Sequence, residues 1–234
     1  MWAYHRRTMI EPSTTPDHLF QDVQAVKLPP LVLASGSPRR AEILSSAGLL
    51  MDVRPADISE HRRPGDDPPD AWVVRLAEEK AAAVAGTNSD AVTLGADTIV
   101  VIDDEVLGKP SSREEAVATL RRLRNRTHHV MTAVALKSRN GKWSGYSRSV
   151  VKVRDMTDVE IDQYVESGLP LDKAGSYGIQ DKLFSPAERV SGCYLNVVGL
   201  PVCLTGDLLS MAGFDIDIDC DDCDKPLNTV SMQS

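Results

Sequence analysis

The order of hydrophobic and polar positions along this chain predicts alternating strands and helices. Short, nearly continuous apolar runs at 31–34 and 92–102 are typical of buried strands, and the second is expected to be central in its sheet. Apolar residues spaced three and four apart predict helices with one buried face, the strongest from about Asp70 to Ala85. The pattern therefore predicts an α/β fold with a mixed sheet and flanking helices.

Capping and turn residues place the other elements. Ser37 is expected to cap a helix that begins at Pro38, packs Ile43, Leu44 and Ala47 inward, and ends at Gly48. A tight turn is predicted at Asp103–Asp104, followed by a helix that Ser112 and Glu115 cap and that ends near Leu123. Strands 130–137 and 147–153 are predicted on either side of the hairpin signal Asn140-Gly141, followed by a helix that Thr157 and Glu160 cap and Gly168 closes. The last predictions are a loop-rich stretch 169–192, a strand 194–198 and a helix from Pro201 to about Met211.

These elements predict a folded region from Leu31 to about Met211, long enough for one α/β domain or for two small lobes that share a cleft. Residues 1–29 carry several prolines and no periodicity, and are expected to form a flexible leader. Residues 215–234 are acidic and are expected to form a disordered tail.

Composition excludes several classes of protein. The formal net charge of -8 argues against a nucleic-acid binder, which needs a basic face. The chain shows no signal peptide and no apolar run of the roughly 20 residues that a membrane span needs, so no membrane partner is expected. The four cysteines show no disulfide framework, which favours the reducing cytoplasm, and the Cys220–Cys223 pair lacks the further ligands of a zinc site.

Two charged residues break the apolar pattern around them. Asp97 lies inside the 92–102 strand, and Gly95 beside it leaves room for a ligand or for neighbouring backbone. Lys80 falls on the apolar stripe of the helix 70–85. A buried charge marks a candidate site, but Asp97 could instead be satisfied structurally, and Lys80 could extend along the edge of the stripe to solvent.

Other polar residues are less distinctive. Arg39 and Arg40 lie in the first turn of a helix, where the macrodipole disfavours cations unless an anion binds; the alternative is two solvated arginines. Lys109 follows the turn after the Asp97 strand and is expected to return toward it. His128 and His129 are adjacent on a strand, face opposite ways, and are interpreted as structural.

Five motifs together resemble the Maf family of nucleotide pyrophosphatases. They are LASGSPRR at 33–40, LGADT at 94–98, GKP at 108–110, DKAGSYGIQ at 172–180 and NVVGLP at 196–201. The resemblance covers roughly residues 31–212. It implies two lobes around a mixed sheet with a central cleft, similar to the inosine triphosphate pyrophosphatases, and metal-assisted hydrolysis of the bond between the α and β phosphates.

The resemblance also implies roles for individual residues. Asp97 matches the proton acceptor of the family, and Glu60, Lys80 and Lys109 match its other catalytic polar positions. Asp97 and Glu60 are expected to hold Mg²⁺ or Mn²⁺, because hard oxygen ligands suit hard cations. The sequence leaves open whether Asp97 acts mainly as the base or as a metal ligand. The residues expected to bind substrate are Ser37, Arg39, Arg40, Thr98, Lys173 and Gln180.

Three positions bear on the nucleobase. Arg39, Thr98 and Gln180 match the branch that acts on dTTP and UTP, whereas the branch that acts on 7-methyl-GTP has an acid at the last position. The segment DKLFSP at 181–186 departs from the glycine-rich stretch common in the first branch. The alternatives are therefore a pyrophosphatase for 7-methyl-GTP or other modified nucleotides, and a nucleotide-binding regulator of septum formation. A homodimer is left open by the sequence.

Overall fold

A mixed sheet with helices on its faces forms the framework, as predicted. The computed structural model describes residues 28–60, 67–86, 90–216 and, for the backbone, 229–233. The strands are β1 (Leu31–Leu33), β2 (Met51–Val53), β3 (Val92–Ile102), β4 (Glu105–Leu107), β5 (Thr127–Ser138), β6 (Gly141–Val153), β7 (Ala187–Ser191) and β8 (Thr229–Gln233). The helices are α1 (Pro38–Ser46), α2 (Pro69–Val84), α3 (Arg113–Leu123), α4 (Asp158–Glu166), α5 (Tyr194–Val198) and α6 (Val202–Met211), with short 3-10 turns at Leu169–Asp172 and Ala174–Ser176.

The sheet has a gap along one edge of β3. The strand order is β2-β1-β3-β5-β6-β7, with β1 parallel to β2 and β3 and the β3-β5-β6-β7 run antiparallel. On the side away from β5, β1 pairs with β3 only as far as Leu94, and β4 begins to pair at Val100. Within the described part of the chain, residues 95–99 therefore face an opening between β1 and β4 rather than another strand.

Alternation along β3 divides the core. Gly95, Asp97 and Ile99 face α2, whereas Ala96, Thr98 and Val100 face the opposite side, because successive side chains of a strand point to opposite faces. On the second side, one apolar cluster gathers around Leu94, Ala96, α1 and α6, and another around Val100, Ile102, α3 and α4. Thr98 lies where these two clusters meet, and so marks the cleft between them.

Turn and capping chemistry accounts for most element boundaries. Asp103 and Asp104 both have positive φ, as the tight turn between β3 and β4 requires. Thr157 and Glu160 form the predicted reciprocal capping box of α4. At α3, Ser112 accepts the Glu115 N–H as predicted, but the Glu115 carboxylate bonds Ser111 instead of Ser112.

The prediction of a strand at 194–198 is wrong. These residues form α5, because the Cys193 sulfur accepts the Asn196 N–H at its start and Gly199, with φ of 127°, ends it. The buried Asn196 side chain then bonds the backbone of β5 on both sides, accepting from the Thr132 N–H at 3.1 Å and donating to the Val130 carbonyl at 3.0 Å. A tertiary contact outweighs the strand propensity of the Val-rich run.

The tail also differs from its prediction at one end. Thr229–Gln233 pair antiparallel with the start of β6 as β8, where disorder was expected. The predicted leader up to residue 27, the rest of the tail from 217 and the Cys220–Cys223 pair lie outside the described residues. None of the helices described is long and apolar enough to cross a membrane.

Candidate active site

A cleft of about 690 Å³ lies along the open edge of β3. The end of β1 with the first turn of α1 lines one side, and the residues after β4 with the segment 172–181 line the other. Asp97 and Thr98 both reach this cleft although they project to opposite faces of the sheet, because the gap in the sheet opens at their edge. All ten site residues named from the sequence line the cleft.

Close packing of α2 on β3 places Lys80 over Asp97. A Cβ atom on Gly95 would lie 2.2 Å from the carbonyl oxygen of Ala77 and 2.6 Å from the nitrogen of Ala81. The helix backbone therefore occupies the space beside Asp97 that a side chain at position 95 would need. The Lys80 Nζ lies 2.5 Å from Oδ1 of Asp97, and both residues are buried.

Glu60 extends this pair into a chain of alternating charges. Its Oε1 lies 2.5 Å from the Lys80 Nζ, and its Oε2 lies 3.2 Å from the Lys109 Nζ. The order of groups is thus Asp97, Lys80, Glu60, Lys109, running from the buried strand to the exposed rim. Lys80 is buried with two anionic partners, which excludes the interpretation that it reaches solvent along the edge of the stripe.

Burial acts differently on the two carboxyl groups. It raises the pKa of Asp97 above the usual aspartate range, against the opposing charges of Lys80 and Arg40. Burial alone would also raise the pKa of Glu60, but its hydrogen bonds and charge interactions with Lys80 and Lys109 outweigh that effect and lower it. Asp97 is therefore the carboxylate of the pair that more readily accepts a proton.

Arg40 is tied to the protein rather than free in the cleft. Its Nε donates to the Gly199 carbonyl at 2.9 Å, one Nη to the Ser35 Oγ at 2.9 Å, and the other Nη to the Thr98 Oγ1 at 3.0 Å. Thr98 also bonds the Thr132 hydroxyl at 3.0 Å. These contacts use three of the five N–H groups of the guanidinium, so at most two are left for an anion.

The N-cap residue and the first turn of α1 line the cleft. Ser37 is the N-cap residue and Pro38 is the first helical residue, as predicted. Among the described residues, however, the Ser37 side chain accepts no capping hydrogen bond from the first turn of the helix. Pro38 has no N–H and the Ser37 N–H donates to the Ser35 Oγ at 3.3 Å, so the backbone N–H groups of Arg39 and Arg40 are the ones left for an anion in this first turn. The Arg39 side chain, half-buried beside them, is near enough to Asp172 to help lower the pKa of that carboxyl.

Comparison with known proteins identifies the family. The sequence model described as Maf-like protein matches residues 30–212. The chain belongs to the Maf family. The dTTP/UTP pyrophosphatase of Dehalococcoides mccartyi strain CBDB1 is 45% identical over 190 residues, 80% of this chain and 84% of that protein. Those of Hahella chejuensis and Bacillus cereus strain G9842 are 47% and 43% identical over 189 and 188 residues, each 80% of this chain and 94% and 97% of the relatives.

The Maf segment 172–180 carries two residues expected to bind substrate, Lys173 and Gln180, of which the first is held by the protein and the second is exposed. The Lys173 ammonium is held by the Leu169 carbonyl and by Asp172 at 2.7 Å, so it must exchange these partners to reach a phosphate. Gln180 is exposed at the rim, in a turn closed by a hydrogen bond of 3.1 Å from the Asp181 nitrogen to the Gly178 carbonyl.

The carboxylates of the Maf cleft suit a divalent cation. The bonded oxygens of Asp97 and Glu60 are no more than about 5 Å apart, because each lies 2.5 Å from the same nitrogen of Lys80. Mg²⁺ is commonly bound by one or two carboxylates together with substrate phosphates. The donor set therefore fits such an ion. No cluster of three or more His, Cys, Asp or Glu side chains suited to a metal is found among the described residues.

Sequence reasoning missed the residues that hold the Maf cleft in shape. Tyr177 is buried, and its hydroxyl lies 2.7 Å from the Nε2 atom of His128. Burial lowers the pKa of His128 to about 4, so the ring is neutral at neutral pH, in line with its structural interpretation. Tyr177 is part of the motif 172–180, so the sequence marks it, but its partner His128 lies 49 residues away along the chain and local pattern does not predict the contact.

Proposed function

We propose that this chain hydrolyses nucleoside triphosphates to the nucleoside monophosphate and pyrophosphate, with dTTP and UTP preferred. The observation that carries the proposal is the charge chain Asp97, Lys80, Glu60, Lys109, which lies in a cleft beside the N-terminus of α1. The names of relatives that are 43–47% identical agree with it and specify the nucleotides.

Phosphate binding follows from the cations along the cleft. A nucleoside triphosphate carries about four negative charges, and such charge is stabilised by helix N-termini, by lysine and by arginine. The first turn of α1, Arg39 and the exposed Lys109 meet the triphosphate first. Lys80 lies deeper and binds a phosphate oxygen only by sharing its ammonium with Asp97 and Glu60.

Asp97 and Glu60 would hold the divalent ion, Mg²⁺ or Mn²⁺. When bound, this ion supplies positive charge to the phosphate oxygens. Lys80 holds Asp97, and Lys80 and Lys109 together hold Glu60, so the orientation of both carboxylates is fixed before substrate arrives. This preorganisation reduces the reorganisation needed when charge develops during the reaction.

Asp97 accepts the proton of the attacking water. The water oxygen bonds to the α phosphorus, and Asp97 takes the proton of the water. The bond from the α phosphorus to the bridging oxygen breaks, and pyrophosphate leaves with that oxygen and the electron pair of the bond. Substrate phosphate that draws the Lys80 ammonium away weakens the charge that opposes protonation of Asp97. This effect favours Asp97 as the proton acceptor, whereas direct ligation of the divalent ion by Asp97 would oppose it.

Gln180 contacts the base at the rim of the cleft. Its amide offers both a donor and an acceptor, which matches the alternating carbonyl and N–H groups of a uracil or thymine edge. Thr98 and Arg39 line the same cleft.

The Asp97→Asn variant tests the proposal. It keeps the size of the side chain and removes the base, so pyrophosphate release should fall by about 10²- to 10⁴-fold. The matched control is Asp162→Asn, an exposed position on α4, which should retain wild-type rates. Full activity of a folded Asp97→Asn protein would contradict the mechanism, and tight triphosphate binding without turnover by the wild type would instead indicate a regulator.

A further inference from the structure

One hydroxyl group closes the turn that carries Gln180. The Gly178 N–H donates to the Tyr164 hydroxyl at 3.0 Å, and the Tyr164 hydroxyl in turn donates to Oδ2 of Asp181. The turn is four residues long, from 178 to 181, and its two ends are thus fixed to the same atom. That atom belongs to α4, so the turn is anchored to a helix outside the segment itself.

Tyr164 is held firmly by its own neighbours. The side chain is buried and stacks on the ring of Phe184, with centroids 3.8 Å apart and an angle of 8° between the planes. Arg154 donates to the carbonyl oxygens of Phe184 at 2.8 Å and Ser185 at 3.0 Å, and the Phe184 N–H donates to the Asp181 carbonyl at 3.1 Å. The anchor is therefore a packed aromatic pair.

The turn fits between two side chains without spare room. A Cβ atom on Gly178 would lie 2.7 Å from Oδ2 of Asp181 and 2.9 Å from Cε of Lys173. The Asp181 carboxylate thus packs against bare backbone on one side while it accepts the Tyr164 hydroxyl. Burial and the hydrogen bond to Asp181 raise the pKa of Tyr164, so its hydroxyl stays protonated and continues to donate through the neutral range.

We propose that Tyr164 and Asp181 are positioning residues that hold Gln180 in its base-reading position and thereby set nucleobase discrimination. The inference rests on the proposed function. An exposed glutamine on a loose turn would lose conformational freedom each time it bound a base, whereas a turn that is already ordered has less to lose. Neither residue is required to touch the phosphates, so their contribution lies in recognition of the base.

Two variants remove the anchor, and one restores it. Asp181→Ala and Tyr164→Phe should each lower kcat/KM for dTTP and UTP about tenfold, the scale of one hydrogen bond, through KM, with kcat within about twofold. Purine triphosphates should be affected less, so the pyrimidine-to-purine ratio of kcat/KM falls. Asp181→Asn keeps an oxygen that accepts from Tyr164, and should preserve the wild-type ratio.

Matched controls separate positioning from general loss of structure. Asp162→Ala removes an exposed carboxylate from the same helix, and Tyr194→Phe removes a partly exposed hydroxyl from α5. Both should leave KM, kcat and the ratio unchanged. Thermal unfolding of every variant is measured alongside, because loss of folded protein would lower turnover of all triphosphates in parallel and leave the ratio unaltered.

The Gln180→Ala variant separates a failure of the Tyr164–Asp181 anchor from a failure of the proposed function. If it lowers the pyrimidine-to-purine ratio while Asp181→Ala and Tyr164→Phe leave the ratio intact, the anchor is refuted and the proposed function stands. The anchor is also refuted if Asp181→Asn behaves like Asp181→Ala. Absence of pyrophosphate release by the wild type from every triphosphate overturns both.

Discussion

The four charged residues Asp97, Lys80, Glu60 and Lys109 form a chain in which each is ion-paired with its neighbour. Lys80 is shared between Asp97 and Glu60, and Glu60 is shared in turn between Lys80 and Lys109. A change at Lys80 or Glu60 is therefore expected to shift the pKa of Asp97.

Glu60→Gln should move the acidic limb of the pH profile to lower pH. The negative charge of Glu60 helps raise the pKa of Asp97, and its loss also releases Lys80 to pair more fully with Asp97. Asp97 must be ionised to act as the base, so kcat/KM falls as pH falls through its pKa, and a lower pKa shifts that fall acidward. Profiles of the wild type and the variant would show this shift. A limb that moves to higher pH would contradict the assignment of Asp97.

Lys80→Met should destabilise the fold in a pH-dependent way. The pKa of Asp97 is raised by burial, so ionisation of Asp97 costs the folded state more than the unfolded chain, and that cost grows as pH rises. Without the ammonium, the loss in free energy of unfolding should be small where Asp97 is protonated and about 3 kcal/mol at neutral pH.

Urea denaturation at acidic and at neutral pH checks the Lys80 prediction. Lys142→Met, which alters an exposed lysine of β6, should follow the wild type at both. An equal loss for Lys80→Met at the two pH values would mean that the pair with Asp97 is not the cause.

Local pattern was enough to find some site residues but not to describe others. Lys80 and Asp97 each break an apolar periodicity within their own element, so the sequence alone marked them. The role of Arg40 could not be predicted, because its carbonyl partner at Gly199 is 159 residues away. Protein oxygens meet much of the cost of the Arg40 cation in the first helical turn, whereas the sequence left open a bound anion or a solvated arginine.

At the level of elements, the site is set by how close α2 comes to β3. That distance depends on Gly95, whose missing side chain is replaced by the backbone of Ala77 and Ala81. The sequence left open whether a ligand or backbone used this space, and the structure assigns it to backbone.

Gly95→Ala should therefore impair both stability and catalysis. A methyl group 2.2 Å from the Ala77 carbonyl oxygen forces α2 away from the strand, at a cost of about 1–3 kcal/mol, and carries Lys80 away from Asp97. Denaturation and steady-state kinetics measure the two effects. Gly108→Ala is the control for stability, because a Cβ atom there meets nothing within 4 Å. Unchanged stability of Gly95→Ala would refute the close packing.

Elements with a clear apolar run or cap were predictable, including the three-residue β1, whereas the short strands β2, β4 and β7 were not. β3, α2, α3, α4 and the β5–β6 hairpin follow from periodicity and capping, although β5 and β6 extend beyond their predicted bounds. Strands β2 and β4 have three residues each, too few to show alternation. They form because neighbouring strands offer hydrogen-bond partners. For the same reason β7 forms against β6 within the stretch predicted to be loop-rich.

At the level of the whole molecule, an acidic protein places cations where one anionic ligand binds. The net charge of -8 disfavours polyanions in general, while α1, Arg39, Lys80 and Lys109 converge on a cleft of about 690 Å³. This combination suits a small triphosphate better than an extended nucleic acid, which needs a basic face. The proposed selectivity for the nucleotide depends on the rim around Gln180.

Product analysis on a panel of nucleoside triphosphates tests the central claim most directly. The wild type is incubated with each triphosphate, with and without Mg²⁺ or Mn²⁺, and nucleotide and phosphate products are quantified. The account predicts equal amounts of monophosphate and pyrophosphate, fastest from dTTP and UTP in the presence of metal. Diphosphate with inorganic phosphate as the products, or no turnover of any triphosphate, would contradict it.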